Sequence, residues 1–191
     1  MAWIGPSTRA VFPVKGGFIA APYHQARKGA EPHKGADIAA KAGSAVLAIL
    51  PAVVVATYQT GQLTGYGNLV VLKHGPDAFS LYAHLDTILV RPDQTVEAGA
   101  PIGTVGTTAG TPQNPQARNQ EAHLHLECLT RWPPASRYSD RVDPELVLGH
   151  DFGPSTPAET YFSIRPYRQS KAALGPFIAL LGLALLLKAR A

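Results

Sequence analysis

Short apolar runs separated by glycine, proline and asparagine make up most of residues 11–148. Runs of this length, bounded by turn-forming residues, are typical of β-strands and not of long helices. Several runs are continuously rich in valine, isoleucine and leucine, as strands buried on both faces are, whereas two alternate apolar and polar positions. The predicted strands cover residues 45–50, 52–58, 68–73, 79–85, 102–105 and 123–129. The pattern therefore predicts an all-β domain.

Both alternating runs contain histidines. In residues 79–85 the odd-numbered positions are apolar and are expected to face the core. The even-numbered residues, Ser80, Tyr82 and His84, are then expected to project from the opposite face. This run would carry His84 on a polar face of the predicted sheet.

The second alternating run, residues 123–128, places two imidazoles and a carboxylate on one face. Its even-numbered positions are apolar, so His123, His125 and Glu127 project side by side from the other face. One histidine in such a place is more often a surface or hydrogen-bonded residue, but an alternating pair followed by glutamate is a stronger metal-ligand signal. We therefore take this strand as part of a candidate metal site.

A third motif, His33-Lys34-Gly35-Ala36-Asp37, precedes a short apolar stretch. His33 and Asp37 either meet on a helix face or converge from a turn that enters a strand, with Gly35 allowing the bend. Alone, this spacing is more typical of a surface pair or a helix cap. Together with the His-x-His strand it supplies what a catalytic zinc site needs, namely two or three imidazoles, one carboxylate oxygen and a position for water.

The C-terminal end differs sharply in composition from the rest. Residues 172–187 include no polar side chain and have basic residues on both sides. A helix through these 16 residues would be apolar all round and roughly 24 Å long, short of the ~30 Å hydrocarbon core of a bilayer. We predict a short membrane anchor at residues 171–188, with docking on the domain or on a partner as the alternative. Residues 149–170 are predicted to be a linker, and residues 1–148 the folded domain.

The overall composition narrows the classes of function. With 191 residues and 20.2 kDa, the chain fits one domain plus an extension. Its net charge of +4 is scattered without a basic block, which argues against a nucleic-acid partner and suits an anionic polymer such as a bacterial wall. The single cysteine, Cys128, excludes an intrachain disulfide. No apolar run of seven residues opens the chain, so no secretory signal is predicted.

The motifs, taken in order, resemble those of the lysostaphin/LytM-type zinc endopeptidases, which cut peptide cross-links of peptidoglycan. Ordered matches of this kind are far more specific than any single motif. The segments that carry the resemblance are residues 33–38, 64–68, 73–75, 81–85, 96–99, 102–103, 123–127 and 142–144.

This resemblance implies a compact, barrel-like antiparallel sheet with a groove across it. It further implies a zinc-dependent endopeptidase in which His33, Asp37 and His125 are the zinc ligands. His84 and His123 would be the unligated catalytic pair that handles protons. The substrate would be a peptidoglycan peptide.

Three further residues are candidates for supporting roles. Glu127 lies on the same strand face as His125 and would orient that imidazole, with a solvated surface carboxylate as the alternative. The family often has a tyrosine or an arginine before its first ligand that would stabilise the oxyanion, and both Tyr23 and Arg27 are available for that role. The sequence does not choose between them.

Two other functions remain open from the sequence. A cupin-type metal oxygenase would use the His-x-His pair and the glutamate, but it leaves His33 and Asp37 unexplained and needs a later histidine, for which only His150 is available. A catalytically inactive wall-binding or scaffold protein of the same fold is the second alternative. Location is also open between membrane association through the C-terminal segment and a virus-encoded enzyme delivered to the wall by other proteins.

Overall fold

The computed structural model describes residues 10–134 and 138–149. Within these residues the chain forms ten strands and one short helix. The strands are β1 (Phe18–Ala21), β2 (Ala36–Ala39), β3 (Ala45–Leu47), β4 (Ala52–Tyr58), β5 (Asn68–Gly75), β6 (Ala78–Ile88), β7 (Thr95–Val96), β8 (Pro101–Thr108), β9 (Arg118–Leu129) and β10 (Arg141–Val142), and the helix is α1 (Pro144–Leu148). The prediction of an all-β domain is confirmed.

The strands form one antiparallel sheet in the order β1-β2-β9-β8-β6-β5-β4-β7, with β3 on β8 and β10 on β9. Within the described residues the first and last strands of this order do not pair with each other, so the sheet is open. The expected antiparallel, lysostaphin-type sheet is therefore present, but the barrel-like closure that the resemblance implied is wrong.

Strand β9 is the longest strand in the described part of the chain and lies at a fork in the sheet. Its second half pairs with β6, as in Ala83 opposite His125. Beyond that point β6 and β9 separate and β8 lies between them, with Leu85 opposite Val105 and Gly106 opposite His123. The histidines of β6 and β9 therefore lie close together at the point where three strands meet.

The sheet has an apolar cluster on each face. The larger cluster takes up the inward side chains of β2, β6 and β9, including Ile38, Tyr82, Leu124 and Leu126. A smaller cluster covers the opposite face, which is the face of His125 and Glu127, and consists of Leu69, Val71, Phe79, Leu81, Ala83 and Leu129. Leu124, Leu126 and Cys128 of β9 thus face the main core, whereas His125 and Glu127 line the groove, as the alternation predicted.

The side chains of strand β6 do not all point to the predicted face of the sheet. Ser80 and Tyr82 point into the main core, where both are fully buried, so the expectation that they share a face with His84 is wrong. The strand contains a bulge, because Asn68 pairs with Leu85 but Val70 pairs with Tyr82. His84 lies in this bulge with a φ of 62°, which turns its side chain to the groove face.

Several predicted strand ends also shift. The strand expected at residues 52–58 is observed with these bounds, whereas β6, β8 and β9 extend beyond their apolar centres. Strands β1, β2, β7 and β10 are short and were not predicted as strands.

The linker at 149–170, apart from Gly149, and the apolar segment at 171–188 lie outside the described residues. Among the residues described, none forms a helix long and apolar enough to cross a membrane.

Candidate metal centre

Neighbouring strands bring the three predicted metal ligands together. Asp37 on β2 is the direct cross-strand partner of His125 on β9. His33 lies just before β2, and its backbone is held by hydrogen bonds with His24 and Gln25. The register of β2 on β9 therefore determines the position of the centre.

Gly35 allows the two segments to approach closely. A Cβ atom at this position would collide with the carbonyl oxygen of Leu126 and would lie 3.0 Å from both Glu127 Cγ and His125 Cε1. Its backbone is not in the left-handed region, so the glycine is required for close approach and not for the bend that the sequence suggested.

The ligand atoms of the three residues form a compact triangle. His33 Nε2 lies 3.0 Å from His125 Nδ1, and Asp37 Oδ1 lies 3.0 Å from the former and 2.8 Å from the latter. Zinc bonds to nitrogen and oxygen are about 2.0–2.2 Å long, so three atoms this close together fit around one ion of that size. The group could hold a metal ion.

Hydrogen bonds on the far side of each ring leave lone pairs in this triangle. His33 Nδ1 donates to the Pro22 carbonyl oxygen at 3.1 Å, and His125 Nε2 lies 3.1 Å from a Glu127 carboxylate oxygen. In neutral rings the opposite nitrogens are then acceptors, as is the Asp37 carboxylate. Three lone pairs that face one another require a proton or a cation between them, so the residues present fit a metal.

The electrostatics of the centre reflect this crowding of acceptors. Burial disfavours the charged form of Asp37, but hydrogen bonds with His125 and His33 outweigh it and hold the pKa of this carboxyl well below its usual range. Burial lowers the pKa of His125, yet its bonds to Asp37 and Glu127 dominate and raise the pKa to about 9. A positive charge is therefore stabilised at this point of the protein.

The predicted proton-handling pair lies beside the triangle. The rings of His84 and His123 have their centres 4.8 Å apart, and His123 Nε2 is 3.9 Å from Asp37 Oδ1. His84 Nδ1 donates to the Thr108 carbonyl oxygen at 2.8 Å, and His123 Nδ1 donates to that of Glu121 at 2.9 Å. Burial, with the nearby His125 and His123, lowers the pKa of His84 to about 3. Neutral His84 thus presents Nε2 as an acceptor.

The two oxyanion candidates occupy different places. An Arg27 guanidinium nitrogen lies 3.2 Å from Asp37 Oδ2, and this side chain is about half exposed, at 47%. Arg27 also lines the groove, whereas Tyr23 stacks on His24 with ring centres 4.1 Å apart. The structure therefore brings Arg27, and not the Tyr23 ring, to the carboxylate of the centre.

Glu127 is fully buried and not solvated. One of its oxygens contacts His125 Nε2 and accepts from the Tyr66 hydroxyl at 2.9 Å, and the other accepts from Arg141 Nε at 2.9 Å. Neither Tyr66 nor Arg141 was predicted as a site residue. Tyr66 lies within residues 64–68, one of the segments that carry the family resemblance, whereas no motif in the sequence includes Arg141.

The centre opens into a groove with a cavity of about 290 Å³. Its lining residues are Arg27, Ala30, Glu31, Pro32, His33, Lys34, Thr64, Gly65, Tyr66, His84, His125 and Glu127. His74 lies elsewhere, between the Pro51 carbonyl and Ser80, and His150 lies outside the described residues. The arrangement of the groove leaves one side of the ligand triangle accessible.

Comparisons with known proteins identify relatives of this part of the chain. The model of Peptidase family M23 matches residues 31–144. Murein hydrolase activator NlpD of Escherichia coli (strain K12) is 49% identical over 76 residues, which are 40% of this chain and 20% of that protein. Uncharacterized lipoprotein YgeR of the same organism is 41% identical over 106 residues, or 56% and 37% of the two chains. This chain therefore spans less than half the length of either relative.

A solved structure agrees with these matches. The catalytic domain of the antimicrobial peptidase lysostaphin from Staphylococcus simulans has a TM-score of 0.53 and 27% sequence identity to this chain. The match covers 71% of this chain and 92% of that domain. The resemblance inferred from the ordered motifs is confirmed.

Proposed function

Because the chain belongs to peptidase family M23, we propose that it is a zinc-dependent endopeptidase that hydrolyses peptide cross-links of bacterial peptidoglycan. The observation that carries this proposal is the triangle of His33 Nε2, Asp37 Oδ1 and His125 Nδ1, with all three distances at or below 3.0 Å. It lies in an open groove beside two further histidines. Three protein ligands and an accessible side are what a catalytic zinc site needs.

His33, Asp37 and His125 would hold the zinc. When bound, zinc supplies Lewis acidity for an amide carbonyl and lowers the pKa of water to about 7. Asp37 would offer one oxygen to the ion, because its other oxygen is engaged by Arg27. Arg27 therefore fixes the carboxylate, and its half-exposed guanidinium is in position to face the carbonyl oxygen of a bound peptide.

His84 and His123 would move the protons of the reaction. Each ring uses Nδ1 to donate to a backbone carbonyl, which fixes its orientation and leaves Nε2 as the acceptor of the neutral ring. One of them would take a proton from water and return it to the leaving amine, a role worth about 10²–10⁴ in rate. The lowered pKa of His84 keeps this ring unprotonated near neutral pH, so its Nε2 carries a lone pair.

A second function is favoured by one of the relatives. The Escherichia coli protein that is 49% identical over 76 residues is named a murein hydrolase activator. The alternative is therefore a wall-binding protein that stimulates another hydrolase. All five proposed site residues are present in this chain and converge in space, and for this reason we place the peptidase first.

Digestion of purified peptidoglycans of different bridge composition, with mass analysis of the fragments, tests the proposal. The zinc-loaded chain is expected to release peptide fragments with newly exposed amines, and removal of the metal is expected to stop this release. His84→Ala and His123→Ala should keep their zinc and lose activity by about 10²-fold or more. His74→Gln, which changes a histidine away from the groove, is the control.

The same experiment separates the two functions. If the zinc-loaded chain releases no fragment from any peptidoglycan but increases cleavage by a separate wall hydrolase, the activator function is correct and the peptidase proposal is wrong. If it releases fragments by itself and the two histidine variants do not, the peptidase proposal stands.

A further inference from the structure

A buried polar group lies behind His125, on the side away from the ligand triangle. It consists of Tyr66, Glu127 and Arg141 and is called the Glu127 cluster below. Glu127 is fully buried, and the Arg141 side chain is only 4% exposed. Buried charges of this kind are costly unless each is paired, so their presence next to the centre calls for an explanation.

Each oxygen of Glu127 has a distinct task. Oε2 accepts from Arg141 Nε at 2.9 Å, which neutralises the carboxylate within the protein. Oε1 lies 3.1 Å from His125 Nε2 and also accepts from the Tyr66 hydroxyl at 2.9 Å. Because a carboxylate accepts only, the proton in the contact with His125 belongs to the ring nitrogen. Nδ1 of His125 then keeps its lone pair for the triangle.

Tyr66 connects the cluster with the neighbouring histidine. Its hydroxyl fixes Glu127 from one side, and its backbone carbonyl oxygen accepts from the backbone N–H of His84 at 2.9 Å. His84 lies in the β6 bulge with a positive φ, a conformation that needs support from its surroundings. One residue thus contacts both the partner of His125 and the backbone of His84.

From this geometry we propose that Tyr66, Glu127 and Arg141 are positioning residues that hold His125 in the tautomer and orientation needed to bind a metal through Nδ1. The inference rests on the proposed function, in which His125 is a zinc ligand. Tyr66 and Arg141 act through Glu127 and do not touch the ion. Partners that orient a ligand histidine typically contribute about 10–100-fold to metal affinity.

Zinc titration of the full chain against a chromophoric chelator tests this proposal. Glu127→Gln keeps the shape of the side chain but replaces one acceptor oxygen with a donor group, so it is expected to weaken zinc binding by about 10–100-fold. Tyr66→Phe keeps the ring and the carbonyl that binds His84 and removes only the hydroxyl. It is expected to weaken zinc binding by a smaller factor in the same direction.

Arg141→Lys tests the third member while retaining its positive charge. Lysine lacks the planar guanidinium of arginine, so Arg141→Lys is expected to keep the interaction with Glu127 only in part. Glu97→Gln, Tyr58→Phe and Arg91→Lys make the same chemical changes away from the cluster and serve as controls. They are expected to bind zinc as the unsubstituted chain does.

Ring nitrogen and proton resonances of His125 in the zinc-loaded chain provide a readout that a purely structural role would not move. The unsubstituted chain is expected to show a slowly exchanging Nε2–H proton, which should shift or exchange faster in Glu127→Gln and Tyr66→Phe. If both variants bind zinc with unchanged affinity and keep this resonance, the positioning role is wrong, even if the variants unfold more easily. If the unsubstituted chain binds no zinc, the proposed function itself fails.

Discussion

At the scale of single residues, both carboxylate oxygens of Asp37 have partners in the candidate centre. Its Oδ1 atom faces the ring nitrogens of His33 and His125 and lies within 3.9 Å of His123, while Oδ2 pairs with Arg27. One carboxylate is therefore a common neighbour of the two proposed ligand histidines, of His123 and of Arg27. Changes to this side chain should affect metal binding first.

Replacing Asp37 with asparagine keeps the volume and removes the negative charge. We expect Asp37→Asn to lose more than the ~10–100-fold in zinc affinity that an outer partner contributes, because a ligand atom itself is weakened. Metal analysis of the chain after gel filtration should show about one zinc per unsubstituted chain and much less in the variant. Asp93→Asn, whose left-handed backbone suits asparagine, is the control. Stoichiometric zinc in Asp37→Asn would show that the carboxylate is not a ligand.

His74 gives a pH dependence that is separate from the metal centre. Its ring lies between the Pro51 carbonyl oxygen, at 3.0 Å, and Ser80 Oγ, at 2.7 Å, and burial lowers its pKa from the ordinary value of 6.5. The unfolded chain then binds a proton more readily than the folded chain, so this residue reduces the free energy of unfolding as the pH falls below 6.5 towards the folded-state pKa.

Substituting His74→Gln should remove this contribution. Between pH 7 and 5, in metal-free samples, the free energy of unfolding of the variant is expected to fall less steeply, by up to ~1.4 kcal/mol per pH unit. Denaturant titrations at several pH values measure the difference, and His24→Asn is the exposed control. Parallel pH profiles for His74→Gln and the unsubstituted chain would contradict the role of burial.

The sequence predicted some of these residues and could not predict others. Alternation along β9 placed His123, His125 and Glu127 on one face, because a strand with one face in the core determines the other face. Alternation along β6 failed at His84, because a bulge interrupts the period of two. Arg141 comes from a strand of two residues far along the chain, and no local pattern shows which buried carboxylate it will meet.

At the scale of elements, β9 holds the centre together, because β2, β6, β8 and β10 all pair with it. The contact between β2 and β9 depends on the missing side chain at Gly35. Where β8 lies beside β6, a Cβ atom at Gly106 would collide with the backbone of Asp86. Both glycines allow strands to approach where the ligand geometry is set.

Adding one methyl group at Gly35 should therefore separate β2 from β9. Gly35→Ala is expected to lower the free energy of unfolding by ~1–3 kcal/mol, the usual cost of overpacking, and to weaken zinc binding as well. Gly75→Ala is the matched control, because its Cβ would lie 3.9 Å from the nearest side-chain atom. Equal stability and equal zinc affinity in the two alanine variants would show that the close approach at Gly35 is unimportant.

The strands were predictable where a local apolar run indicates them, and not where strand formation depends on pairing with a distant segment. The strand at residues 52–58 matched its apolar run. Strand β2 is only four residues long and alanine-rich, so its pairing with β9 supplies the strand character that its sequence lacks. The polar first half of β9 is a strand because its partner β8 extends alongside it, which is a contact between distant segments.

At the scale of the whole molecule, the described residues contain a core on one face of the sheet and a smaller apolar cluster beside the groove. The sequence alone predicts that the apolar segment at 171–188 has a different role from this folded unit. If that segment is a membrane anchor, the candidate metal centre and the anchor should be separable by truncation within the predicted linker.

A chain that ends at Gln169 tests this separation. Full-length chain is expected to sediment with membranes, and the shortened chain is expected to remain in the supernatant with its zinc content unchanged. Sedimentation of both chains with lipid vesicles, followed by metal analysis, measures the two properties together. A full-length chain that remains monomeric in the supernatant would contradict the anchor.

The alternation of β9 has a consequence for how this protein can change over time. His123 and His125 occupy one face of the strand and Leu124 and Leu126 the other, and the offset between the two sets is a single position. Deletion of one codon near the start of β9 would exchange the faces of the two sets, so that the imidazoles would point into the apolar core. Such a mutation would remove the candidate metal site in one step, without intermediates of gradually declining metal affinity.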